Sequence, residues 1–168
     1  LCVGIISGIV LGVAWAFLRP GYTGEVVDGI FTADPSNAVD NVEFTSFMWF
    51  VVFSAAIGSL VASVAYAAAG HVRGLKTMLW LGIVAAAGSF TLLVVGQWVT
   101  YALHPLPDEG AGETLEAVTL VPPIDPLHGW VAAPLMAVLT YWIFAVITLP
   151  EQIRAQEPLP DVSVATAQ

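Results

Sequence analysis

The sequence predicts an all-α membrane protein, a four-transmembrane-helix bundle with a small extracytoplasmic hairpin or loop cap. Three observations predict it. Of 168 residues, 58% are hydrophobic and only 10% charged, where soluble domains carry about 25% charged residues. From Phe44 to Gly70 no formally charged side chain interrupts the chain; at about 1.5 Å per residue, such a run exceeds the roughly 30 Å hydrocarbon core of a bilayer. Directly after it, His71, Arg73 and Lys76 form the one tight basic cluster, which marks a cytoplasmic end.

Leu1 to Leu18 is the first expected span, ending at Arg19-Pro20. Gly4, Gly8 and Gly12 recur every fourth residue on one helix face, making a groove for a neighbouring helix in this chain or in a partner. Trp15 suits an interfacial belt. Ala14-Trp15-Ala16 also fits a small-x-small cleavage site, the signal-peptide alternative. Cys2 is the only cysteine, which rules out an intrachain disulfide and a thiolate cage; it reads as a small apolar residue, with acylation the alternative. The chain opens at Leu1 rather than Met, and further residues are expected before it.

Residues 19–43 form the first outside loop. Glu25-Val26-Val27 and Ile30-Phe31-Thr32 have strand composition, and Asp34-Pro35-Ser36-Asn37 has turn chemistry, so a short hairpin is expected. Arg19 is expected to pair with a loop carboxylate or to reach a lipid phosphate. The second span, 44–70, is aromatic in its outer half and small in its inner half; Gly58-x-x-x-Ala62 favours close packing there. Ser54, Ser59 and Ser63 can bond across helices or back to their own carbonyls, the commoner habit.

A short link makes the third span, 78–102, an antiparallel neighbour of the second, and Gly82-x-x-x-Ala86 matches its small half. Gln97, near Trp98, Thr100 and Tyr101, suits interfacial hydrogen bonding better than transport. Residues 103–129 form the second outside loop, where Leu115 to Val121 has the composition to add a strand to the hairpin. The fourth span, 130–149, carries Pro134 in its first turns, where a missing N–H is tolerable. Residues 1–150 thus make one membrane domain, and 151–168 a cytoplasmic tail expected to be disordered toward its end.

Net charge is −9, and its placement is informative. The outside loops hold ten of the thirteen acids, including Glu25, Asp28, Asp34, Asp108, Glu109, Glu113 and Glu116, against Arg19 alone. Arg73, Lys76 and Arg154 fall on the other side, so both termini are expected in the cytoplasm of a plasma-membrane protein. Four Lys/Arg are too few for a nucleic-acid surface. The acidic exterior instead suits a cationic outside partner.

Chemistry is sparse. There is no nucleophile elbow, no phosphate loop and no histidine pair on one helix face, so neither an enzyme nor a cofactor is expected. His104 and His128 flank the second loop with Asp125 near, a weak zinc or copper candidate without a recognisable spacing.

Gly12 to Pro20, the stretch from Asn41 to Phe44, the Gly74 link and Pro134 together resemble a family of uncharacterised actinobacterial four-span membrane proteins. The resemblance implies the four-helix layout and no reaction. In such bacteria the cytochrome bcc–aa3 respiratory supercomplex resembles a gathering point for small subunits of this kind, which by class, not by matched residues, suggests a non-catalytic accessory subunit with membrane-protein partners. The alternatives are a small transporter or lipid-handling protein and an outside-facing metal-binding module.

Overall fold

In the computed structural model, residues 1–27, 30–33, 41–68, 74–105, 115–122 and 128–156 are described, with backbone only for 25–27, 30–33, 115–118, 120 and 149–156. The described elements are four helices, α1 (Cys2–Leu18), α2 (Val42–Ala68), α3 (Leu75–Leu103) and α4 (Ala132–Gln156), with strands β1 (Tyr22–Val27) and β2 (Ile30–Ala33) between α1 and α2 and β3 (Leu115–Leu120) between α3 and α4. Three helical stretches, Val42–Ala68, Leu75–Leu103 and Gly129–Thr148, are long and apolar enough to cross a membrane. That is consistent with a multi-pass membrane protein. α1 is as apolar as these but shorter, at 17 residues.

Helix α1 packs most extensively on α3, and α2 on α4. Both pairs run parallel. Gly4 lies against Val84, Gly8 against Gly88 and Gly12 against Leu92, a constant offset along two helices pointing the same way. A Cβ on Gly4 would sit 2.9 Å from the Val84 carbonyl oxygen, and one on Gly88 2.7 Å from that of Gly4, so both positions need glycine. The glycine groove is therefore filled from within the chain. Gly58 serves α2 and α4 in the same way, lying against the Ala133 carbonyl and the Ala137 amide.

These contacts revise the expected pairing of small residues. Gly58 and Ala62 are buried, but Gly58 faces α4 rather than α3. Gly82 also faces α4, through Pro134 and Val138, while Ala86 lies on the exposed side of α3. The actual α2–α3 contact lies deeper, where the Ser54 and Ser89 hydroxyls share a hydrogen bond of 2.8 Å at 0% and 1% exposure. Ser54 thus bonds across helices, whereas Ser59 and Ser63 bond back to the carbonyls of Ala55 and Ser59. Beside this pair Gly88 lies against Ile57 of α2, where a side chain on α3 would hold the two helices apart.

The three strands form one antiparallel sheet in the order β2-β1-β3. Val27 pairs with Ile30, leaving Asp28-Gly29 as the two-residue connection, a dipeptide whose chemistry favours tight hairpins. The hairpin and the added third strand agree with expectation. The Asp34-Pro35-Ser36-Asn37 stretch lies outside the described residues, as do His71, Arg73 and 157–168. Helix α4 continues past Pro150 to Gln156 rather than stopping there. Proline removes one hydrogen bond, but Glu151-Gln152-Ile153-Arg154-Ala155-Gln156 are mostly good helix formers and restart it.

Candidate functional site

The loop-bearing end of the bundle gathers the most unusual chemistry. Trp15, expected at an interface, is instead fully buried. It fits because Gly96 has no side chain to displace it, and its ring meets Phe50 at 5.6 Å between centroids. A buried indole needs an acceptor, and Trp15 Nε1 donates to the Ser46 carbonyl at 3.0 Å. This anchors the end of α1 to the start of α2.

Arg19 follows one turn later, only 8% exposed. Its guanidinium lies over the Trp15 ring at 4.7 Å and donates through one terminal nitrogen to the Pro122 carbonyl at 2.5 Å. Burial lowers its pKa from the ordinary arginine value, and Tyr101 acts weakly in the opposite direction; an arginine so placed remains a cation at neutral pH. Glu43 is the one carboxylate whose side chain is described, and it does not pair with Arg19. Three buried side-chain atoms at this end lack any hydrogen-bond partner among the described residues: Arg19 Nε, Ser46 Oγ and His104 Nδ1. Sequence reasoning singled out Arg19 but not its partner, which lies over a hundred residues away.

Apart from His104, the other expected site residues are not brought together here among the described residues. His104 is half-buried at the C-terminal end of α3, its backbone N–H donating to the Thr100 carbonyl, and His128 is exposed before the 3₁₀ turn Gly129–Val131. Asp125 lies outside the described residues, among which no three metal-ligating side chains cluster. Asp28, Asp34, Asp108, Glu109 and Glu113 also lie outside, and Glu25 and Glu116 are described only as strand positions. Gln97 is half-buried, and the buried Thr100 hydroxyl donates to the Gly96 carbonyl of its own helix. No family model, characterised protein or solved structure matches the chain.

Two further features complete the surface. At the opposite end Tyr66 donates to the Phe144 carbonyl at 3.1 Å and shares a very short hydrogen bond with Thr148, while Tyr141 Oη accepts the Gly74 N–H at 3.0 Å. These bonds tie the α2–α3 connection to α4. On the outward face of α2, Phe44, Thr45, Met48, Trp49 and Val52 line a shallow apolar groove of about 270 Å³.

Proposed function

We propose that the chain is a four-span membrane protein acting as a non-catalytic accessory subunit of a larger plasma-membrane assembly. The fourth crossing, by α1, is supported by depth. Exposed Trp80 and Trp98 stand on α3 eighteen residues apart, or roughly 27 Å, the spacing of two interfacial belts. The parallel contacts set Cys2–Leu18 beside the α3 segment between those belts. Arg73 and Lys76 then lie at the cytoplasmic end, and the acidic connections and sheet form an outer cap.

The observation that carries the accessory role is the use to which the buried hydroxyls in the middle of the bundle are put. Ser54 and Ser89 bond to each other, and Ser7 bonds to the Val3 and Gly4 carbonyls of its own helix. Proton or ion transport needs uncommitted polar groups at mid-depth, and these are committed to packing. The apolar groove on α2 offers a partner helix a seat, and the acidic cap offers a cationic partner a surface whose pull weakens with salt.

The test is mild-detergent purification of a tagged chain at native expression. A stoichiometric membrane partner is expected; recovery as a lone monomer contradicts the proposal. The resemblance to actinobacterial four-span proteins makes the respiratory supercomplex the first assembly to probe. A lipid-handling role is the second reading, because the same groove is lined almost wholly by apolar side chains; co-purified lipid displaced from the Trp49 region, without any protein partner, would favour it.

A further inference from the structure

We propose that Arg19 binds a phosphate group of the kind a lipid head group carries. The inference rests on the reading that α1 crosses the membrane, which sets Arg19 at the depth of the exposed Trp98 and Tyr101, where lipid phosphates lie. A buried charge is costly unless neutralised and hydrogen-bonded. Of the five guanidinium N–H donors, the described residues satisfy one, at the neutral Pro122 carbonyl, and Trp15 covers the flat face. Nε is left buried and unpaired.

The planar fork of a guanidinium matches phosphate oxygens in pairs. Nε–H and a terminal N–H on one edge are the natural pair. Two more orphans stand at the same end. Ser46 Oγ is on the residue whose carbonyl takes the Trp15 indole N–H, and His104 Nδ1 lies one turn beyond Thr100. A hydroxyl and an imidazole can both donate to a phosphate oxygen. Arg19 is also the sole base among the outer connections, so the site is local rather than part of a basic surface.

The experiment compares wild type, Arg19→Gln and Arg19→Lys in detergent by native mass spectrometry, with phosphatidylglycerol, a diacylglycerol of the same chains, and inorganic phosphate. Wild type should retain phosphatidylglycerol about tenfold better than Arg19→Gln, with Arg19→Lys between them. Arg19-dependent binding of inorganic phosphate alone would support the same chemistry from a free source. Equal retention by wild type and Arg19→Gln, or equal retention of the diacylglycerol, overturns the proposal.

If Arg19→Gln fails to fold, the wild-type arginine Nε–H resonances decide. The chain has three arginines, and Arg19→Lys identifies the signal by its loss. That signal should move on adding phosphatidylglycerol. A signal that stays still means the site is already filled by a carboxylate of this chain, which also overturns it. Thiol labelling at the two ends of α1 tests the four-span reading separately, without involving Arg19.

Discussion

The Ser54 and Ser89 hydroxyls meet at 2.8 Å where α2 crosses α3, with Gly88 beside them against Ile57. Either oxygen can be the donor. The pair is the polar centre of an otherwise apolar interface, and it lies midway between Trp80 and Trp98 along α3. Its energetic consequence is specific. In Ser54→Ala the remaining Ser89 hydroxyl can turn back to the Ala85 carbonyl four residues before it, so the loss should be about 1 kcal/mol. The Ser54→Ala/Ser89→Ala double variant should lose little more. Thermal unfolding in detergent measures both, and a strongly additive double variant would refute the pairwise account.

The α1–α3 seam depends on missing side chains. Gly8→Leu should push α1 away from the Gly88 backbone and Thr91, destabilising by about 1–3 kcal/mol through overpacking. Ala86→Leu, on the exposed side of the same helix pair, should be near neutral. The comparison separates a packing effect from a general response to added bulk, and thermal shift assays of the two variants check it.

The latch at the opposite end should show in hydrogen exchange. Tyr141→Phe removes the acceptor of the Gly74 N–H, so that amide should exchange faster while the centre of α3 is unchanged. Tyr66→Phe removes the bonds to Phe144 and Thr148 and should lower stability by about 1 kcal/mol, with the Tyr66–Tyr141 ring contact preserved.

Much of the architecture is legible in the sequence because apolar length and strand composition are local properties. The uncharged run from Phe44 and the β-rich stretches around Val26 and Leu115 need no knowledge of neighbours. Helix pairing does need it. Small residues every fourth position occur on α1, α2 and α3 alike, so spacing alone could not send Gly58 to Ala133 or Gly8 to Gly88. Gly88 and Gly96 have Val84, Leu92 and Thr100 four residues away rather than another glycine or alanine, so no small-residue repeat marks them, and their partners lie in a helix some eighty residues earlier. The candidate site was less legible still. Trp15 near a helix end has the chemistry of a belt residue, and only the space over Gly96 and the Ser46 carbonyl make it a core anchor. Arg19 finds Pro122 only after the sheet has joined the two outer connections.

The central claim is that α1 crosses the membrane beside α3, and thiol labelling tests it most directly. In a Cys2→Ser background, single cysteines at Leu1, which is 68% exposed, and at Thr23 in β1 should react from opposite faces of sealed vesicles. The Leu1 position should share its side with a cysteine at Lys76. Labelling of the Leu1 and Thr23 positions from the same face would contradict the account.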